Sequence, residues 1–401
     1  MPRKILHLDL DAFFCAVEEL HEPSLKGKPF AVGGQADRRG VVASCSYAAR
    51  LCGVRSAMPM GRAKQLCPDL IVVSSQHGNY SQVSKQVMAL IDITPFIEKI
   101  SIDEAFMEVT DLPNPLSEIA KELQGRVNRE MKLPISIGGG TNKLVAKIAN
   151  DWGKSQKKSP EPPNSITIIP PGEEAAFLAP LPVQSLWGVG PKTAKKLETL
   201  GIKTIGALAQ TPPETLEMMF GQHGPDLHRR ALGIDNRPIE TEQEVKSISN
   251  EVTFAADLVD EEHLLSVFRD LSEQVGRRLR KASLAGNTVQ IKLRWADFTT
   301  ITRQTTLISA TNLDQEIYET ASALFKDNWP KGKPVRLIGV GVTNLGPPIH
   351  QLGLWSDDHQ KKARLVNAMD DLRKRFGVDI IQRADRLQNQ KDRGKPDNTD
   401  L

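Results

Sequence analysis

"EKISIDEAFMEV", residues 98–109, reads as β-strand at its flanks, where Ile100, Ile102, Phe106 and Val109 are apolar and β-favouring. Between them stand two adjacent carboxylates, Asp103 and Glu104. Neighbours on a strand point to opposite faces, so one of the two should aim at the core side of a sheet unless the backbone turns there. Burying a bare charge is costly. The pair therefore belongs to a strand or hairpin turn that faces something other than a core. A second acidic strand opens the chain: "KILHLDLD", residues 4–11, alternates Leu6, Leu8 and Leu10 with His7, Asp9 and Asp11. Asp11 is placed to cap a helix through "AFFCAVEEL". Asp9, Asp103 and Glu104 brought together would repel unless cations held them. Two divalent ions about 3.5–4 Å apart, clamped by such a trio, are a recurring solution for in-line phosphoryl transfer. Taken by themselves the three are more readily unrelated surface acids.

At 401 residues the chain predicts two to four domains. Hydrophobic content of 39% and charge of 25% describe a folded soluble protein and exclude disordered and membrane classes. The formal net charge is only +3, so an anionic partner must be met by local clusters. "MPRKILHLDLDAFF" carries acids inside its apolar run and no small-residue cleavage site, and no apolar run reaches membrane length. A cytoplasmic protein without a membrane partner is expected. Cys15, Cys45, Cys52 and Cys67 show no CxxC spacing, which predicts reduced, buried thiols.

Along the chain, residues 22–75 carry short signals with turns at "GGQADRRG", and 76–165 alternate helical and strand patterns before the Pro/Ser/Lys-rich "KSQKKSPEPPNS". Residues 167–233 read as small helices. "GVGPKTAKKLETLG" puts Pro191 at a first helical position and ends on Gly201, and Thr211 and Glu214 are spaced as a capping box. "GIDNRPIETEQEVKS" looks like a linker. Residues 246–345 mix strand patterns ("TVQIKLRWADF", "TTITRQTTLI", "VRLIGVGVTNL") with a helical one ("EHLLSVFRDLSEQVGRRLRKA"), a small α+β domain. After Trp355 one amphipathic helix is expected, with Leu365, Met369, Leu372 and Phe376 on one face and Gly377 as its stop, then a polar tail.

Several long stretches, in order and spacing, resemble the Y-family DNA polymerases, and their DinB branch in particular. They are "HLDLDAFFCAVEEL", "GVVASCSYAARLCGVRSAMP", "EKISIDEAFMEV" and "SIGGGTNKLVAKIANDWGKS", continued by "LWGVGPKTAKKLETLGIKTIGALA" and "KSISNEVTF". The resemblance covers roughly residues 4–345. It implies an α+β multidomain right hand: a palm from 1–11 and 76–166, small fingers from 12–75, and a helical helix-hairpin-helix thumb from 167–233. A linker at 234–245 and an α+β little finger at 246–345 follow, and 346–401 hold a clamp-binding peptide, a helix and a polar tail.

Matched residue by residue, the resemblance implies that Asp9, Asp103 and Glu104, with the backbone carbonyl of Leu10, bind two Mg2+ ions. Arg50 and Lys154 would hold the incoming triphosphate, with hydroxyl donors from Ser44 and Tyr47 and amides from Ala12, Phe13 and Phe14. Phe14 matches a steric gate against ribonucleotides, and the small Val41 and Ala43 roof the nascent base pair. Gly188, Gly190 and Lys192 resemble a helix-hairpin-helix contact to a DNA phosphate. Arg277, Arg278, Arg280, Lys281, Lys292 and Arg294 lie in an acid-free window, Gln274 to Ala296, of the little finger and would meet the duplex. "QLGLW", residues Gln351, Leu352, Gly353, Leu354 and Trp355, resembles the bacterial sliding-clamp peptide, with Trp355 for Phe.

The expectation is thus a monomeric, low-fidelity translesion DNA-dependent DNA polymerase without proofreading, acting on primer-template DNA and deoxynucleoside triphosphates in damage tolerance. Departures from the family pattern are Ala48 in place of an acid, an extra glycine at Gly139 and "GK" at 153–154. A nucleotidyl cyclase also sets paired acids on a palm-like sheet, but it needs neither the helix-hairpin-helix nor the basic patch. A non-catalytic DNA and clamp scaffold would not need the acid trio.

Overall fold

The computed structural model describes residues 2–242, 244–348, 357–377 and 380–381. The chain forms two compact units, Met1–Gln243 and Glu244–Leu401. In the first, β1 (Ile5–Leu10) runs into α1 (Phe13–His21). A small sheet follows, β2 (Phe30–Gly33), β3 (Val42–Cys45) and β4 (Ile71–Val73), with α2 (Tyr47–Leu51) and α3 (Met60–Leu66) between the last two strands. After α4 (His77–Leu90) come the hairpin β5 (Ile97–Lys99) and β6 (Glu104–Glu108), then α5 (Leu116–Glu130), β7 (Ile135–Gly140), α6 (Lys143–Gln156) and β8 (Ile166–Ile168). β1 is the centre of a five-stranded sheet of order β5-β6-β1-β7-β8, antiparallel to both β6 and β7. The alternation of β1 sorts its two faces. Leu6, Leu8 and Leu10 enter a core with residues of α1, α4 and α5, while His7 and Asp9 face α6. α1, grouped with the fingers from sequence, buries Phe13, Cys15 and Val17 in this same core.

Five short helices complete the unit: α7 (Glu174–Leu178), α8 (Pro191–Thr199), α9 (Ile205–Gln210), α10 (Pro213–Phe220) and α11 (His223–Ala231). Their core includes Leu186, Leu197 and Ile205 and takes in Leu144, Val145 and Ile148 of α6. α8 begins at Pro191 as expected, but the Thr211–Glu214 box does not form. Pro212 stands at the cap of α10 without a side-chain bond, and the Thr211 hydroxyl donates back to Ala207 O. The first part of the expected linker is fastened rather than loose. Leu144 N donates to Asp235, and the buried Lys143–Glu98 pair (2.6 Å) takes Pro238 O and Glu240 N.

α6 comes close to the sheet because β7 offers it glycine. A Cβ on Gly138 would meet Ala146 O at 2.0 Å and Asn150 N at 2.4 Å, both backbone atoms that cannot step aside. α6 itself starts where Asn142 accepts a hydrogen bond from Val145 N, a regular side-chain cap.

The second unit is an antiparallel sheet of β9 (Ser247–Leu258), β10 (Ala285–Trp295), β11 (Thr300–Thr311) and β12 (Val335–Gly346), in the order β11-β10-β12-β9. α12 (Glu261–Lys281) and α13 (Asp314–Asn328) cover one face, over Val289, Ile291 and Leu293. α14 (Asp357–Phe376) docks on this unit by a face the sequence did not predict. Val366 and Arg373 are buried, whereas Leu365 (62%), Leu372 (40%) and Phe376 (66%) are exposed. The cause is ionic. Asp370 of α14 meets the nearly buried Arg280 at 2.7 Å, and Arg373 meets the nearly buried Glu273 at 3.4 Å. The four cysteines are free, and Cys52 is exposed rather than buried. No helix among the described residues is long and apolar enough to cross a membrane.

Gly138→Ala should therefore lift α6 from β7 and destabilise the first unit by about 3 kcal/mol, the upper end of overpacking costs. The midpoint of urea denaturation checks this; an unchanged midpoint means α6 has slack that the geometry denies.

Candidate active site

The acidic pair sits where the hairpin turns. Ile100 N and Ser101 N both donate to Glu104 O, so the backbone reverses immediately before β6. Asp103 lies in this turn, released from strand alternation, and its carbonyl accepts Leu10 N at 3.0 Å. Glu104 opens β6 directly opposite Asp9 in the β1–β6 ladder. The three acids thus meet at one end of two adjacent strands. Cross-strand like charges destabilise a sheet, and the structure answers them with α6. Lys154 Nζ lies 2.6 Å from Asp9 and 3.5 Å from Asp11, and Lys147 Nζ lies 3.3 Å from Glu104. Lys143, Lys147 and Lys154 follow one side of the helix, and each meets an acid of β1 or the hairpin.

Burial, then Asp9 across the ladder, push the Glu104 carboxyl up to about 7. Burial also raises Asp103, against the pull of the Ser101 hydroxyl 2.6 Å away. Burial lowers Lys154, but Asp9 and Asp11 outweigh it and hold the ammonium above its ordinary value. Burial, then Lys147 and Lys154, keep the His7 ring well below the ordinary range and so neutral. As the side chains stand, no group of three His, Cys, Asp or Glu residues among those described is arranged around one point that could hold an ion. Asp9 and Glu104 are turned to lysines and Asp103 to Ser101.

Asp11 is not a helix cap. Ala12 stands at the cap of α1 in the left-handed region (φ 48°) with no side-chain bond, and Asp11 is buried, accepting from the Ser136 hydroxyl (2.8 Å) and Asn164 N (2.8 Å). The first amides of α1 are left uncapped by any side chain beside a cavity of about 310 Å³. Asp9, Leu10, Ala12, Phe13, Phe14, Ala43, Ser44, Tyr47, Arg50, Asp103 and Lys154 all line it, joined by Ser56 and Asp151. Val41 is outside the lining and half exposed. The Arg50 guanidinium lies over the Tyr47 ring at 4.6 Å, and its Nε donates to Cys45 O. Phe14 stacks on the buried Tyr80 ring at 4.3 Å, and the Tyr80 hydroxyl is held by Glu18.

Family models match the chain along most of its length. The impB/mucB/samB family covers residues 8–151, its helix-hairpin-helix motif 171–202 and its C-terminal domain 245–354. DNA polymerase IV of Dehalococcoides mccartyi (strain CBDB1) is 40% identical over 95% of this chain and 96% of its own. DNA polymerase IV 1 of Bacillus subtilis (strain 168) is 38% identical over 98% of this chain and 95% of its own. A solved Y-family DNA polymerase chimera, Dbh-Dpo4(243-245)-Dbh, superposes with a TM-score of 0.76 at 26% identity, covering 86% of this chain and 99% of that one. The chain belongs to the Y-family DNA polymerases. It is a DNA-directed DNA polymerase with the right-hand fold of that family.

Gly188 has φ 97°, a turn only glycine makes easily, and Gly190 caps α8 beside the exposed Lys192. The acid-free window divides into two surfaces. Lys292 and Arg294 point from β10 to the sheet face away from the helices, where Lys292 pairs with Glu251 at 2.8 Å and Arg294 bonds Thr300. Arg277, Arg278 and Lys281 belong to the end of α12. Arg280 leaves the set. Its guanidinium is buried against Asp314, Asp370 and Asn312 O, with nothing to offer a duplex. Gln351, Leu352, Leu354 and Trp355 lie outside the described residues. Sequence reasoning missed Lys147 and Asp151, although their spacing from Lys154 puts all three on one helix side. It also passed over His7, Asn150 and Tyr80, which carry no motif of their own.

Because Glu104 holds its proton more tightly folded than unfolded, its contribution to stability is greatest below its ordinary value of 4.5 and falls as pH rises to about 7. In metal-free protein, Glu104→Gln should therefore stabilise by about 1–3 kcal/mol near pH 8 and by little near pH 4. Urea melts in chelator at the two pH values measure the difference. Equal effects at both would mean Glu104 titrates normally.

Proposed function

We propose that this polymerase adds a deoxynucleotide to a primer 3′-hydroxyl, with release of pyrophosphate, at the end of β1 and β6, and that Asp9, Asp103, Glu104 and the Leu10 carbonyl hold two Mg2+ ions there. The observation that carries the reading is the meeting of three carboxylates whose repulsion, in the protein alone, is opposed by lysines. The all-oxygen donor set suits a hard cation. Two bound ions would supply Lewis-acid stabilisation of the phosphoryl oxygens and favour deprotonation of the 3′-hydroxyl.

The chain's own residues do the rest. Arg50 presents a planar fork to phosphate oxygens, steadied by the Tyr47 ring beneath it. The uncapped amides of Phe13 and Phe14 open a helix toward the cavity and favour an anion. Formal charge supports the assembly. Three carboxylates and a triphosphate of about −4 meet two ions at +4, leaving about −3, and Arg50, Lys147 and Lys154 bring that close to zero. Ser44 and Tyr47 add hydroxyl donors at the cavity wall. Phe14, stacked on Tyr80 in the cavity wall, would act as the gate against an added 2′-hydroxyl.

DNA would be held without regard to sequence, by Gly188, Gly190 and Lys192 in the first unit and by Arg277, Arg278, Lys281, Lys292 and Arg294 in the second. The small Ala43 in the cavity wall, with Val41 beside it, supports low fidelity and tolerance of damaged template bases. Proofreading would be absent, the chain would act as a monomer, and Gln351, Leu352, Leu354 and Trp355 would engage a sliding clamp.

Primer extension on a defined template tests the whole reading. Asp103→Ala should remove at least about 10³-fold of kcat, a barrier increase of about 4 kcal/mol, while duplex affinity stays at the parent value. Turnover close to the parent's would overturn the metal assignment.

Phe14→Ala should raise ribonucleotide insertion relative to deoxynucleotide insertion by on the order of 10²-fold, if the clash is worth about 3 kcal/mol. The ratio of kcat/KM for the two sugars reports it. A ratio that does not move makes Phe14 a packing residue of α1.

A further inference from the structure

Beneath the acid trio lies a buried polar pair with no role so far, His7 and Asn150. His7 is wholly buried on β1, two residues before Asp9, with the Phe106 ring 4.7 Å away. Asn150 is equally buried on α6, brought to the strands by the seating of that helix on Gly138. The Asn150 amide nitrogen lies 3.1 Å from His7 O, 3.1 Å from Ser136 O and 2.9 Å from His7 Nδ1. Two carbonyls can be met only by a donor, which settles the amide orientation. The amide has two hydrogens for three acceptors, and Nδ1, facing a nitrogen that can only donate, carries no hydrogen of its own, so a neutral ring carries its hydrogen on Nε2. That Nε2 is buried without a hydrogen-bond partner, and the acceptor facing it is Glu104 Oε2 at 4.0 Å.

We propose that His7 is a positioning residue for Glu104: Asn150 locks its tautomer, and the locked Nε2–H stands next to one carboxylate oxygen from beneath, within the sheet face that packs on α6. Lys147 holds the other oxygen from α6. The inference rests on the reading of Glu104 as a metal ligand. Ligating carboxylates depend on outer partners for their orientation, and loss of such a partner costs about 10–100-fold in metal affinity or activity. A ring fixed between Phe106 and Asn150 does this better than a lysine on a flexible stem. An unmade buried donor is costly, and a bond closed with Glu104 would recover that cost.

The test combines variants with a spectroscopic readout. Long-range 1H–15N spectra of histidine-labelled protein, with the His7 signal assigned from His7→Gln, should show a neutral ring protonated on Nε2. A ring protonated on Nδ1 overturns the proposal. His7→Phe keeps an aromatic ring and removes the donor. It should lower kcat for single-nucleotide insertion, and weaken Mn2+ binding to the protein–primer-template complex by calorimetry without nucleotide, each by about 10–100-fold. KM for the deoxynucleotide and affinity for DNA should not change. His7→Gln, whose amide reaches as far as Nε2, should recover most of both losses. Parent values in His7→Phe, or equal losses in both variants, would leave the pair a packing device only. Glu104→Gln run alongside separates the two readings: if it too keeps turnover and Mn2+ affinity, the metal site is wrong, whatever His7 does. If His7→Phe does not fold, Asn150→Ser serves. It should admit the Nδ1–H form and lower kcat, and an unchanged tautomer with unchanged kcat counts against the lock.

Discussion

The seating of α6 on β7 is the constraint from which the rest follows. Gly138 lets the helix come to within backbone contact of the strand, and each side of α6 then has separate work. Leu144, Val145 and Ile148 belong to the core of the small helices, Ala146 and Asn150 meet the sheet, and Lys147, Asp151 and Lys154 face the site. A helix held further out would leave the carboxylates of β1 and β6 without counter-charges. The thumb helices would also lose part of their core. Packing and electrostatics are therefore one problem in this unit.

The electrostatics show why the acids tolerate one another. Like charges paired across a ladder normally weaken a sheet, yet Asp9 and Glu104 are direct partners. Burial worsens their repulsion by thinning the water that would screen it, and Glu104 relieves it in part by holding a proton to about pH 7. Two lysines relieve the remainder. The same groups that steady the protein by itself are the ones proposed to meet a polyanionic substrate.

Much of this was legible in the sequence where local chemistry and tertiary structure agree. The alternation in "KILHLDLD" sorted β1 correctly into a core face and a site face, and an acidic doublet inside a strand pattern pointed to a turn or a functional face. The failures share a cause. Asp11 looked like a cap, but Ser136 and Asn164, far along the chain, claimed its carboxylate. Thr211 and Glu214 had capping-box spacing, but Pro212 took the cap position. The apolar stripe of α14 was real, but buried charges on α12 outbid it for the docking face. Arg280, one cation among several by sequence, was already spoken for. In each case a long-range partner overrode a local signal, and such partners have no fixed spacing to read.

The lysines of α6 have one more consequence, for the order in which the enzyme is put together. In a small zinc domain the metal is the glue, and without it the chain unfolds. Here the protein carries its own counter-ions, with Lys154 on Asp9 and Lys147 on Glu104. On the proposed metal assignment, folding and metal loading are thus separate events. A chelator would silence the enzyme and leave its architecture standing, ready to be recharged.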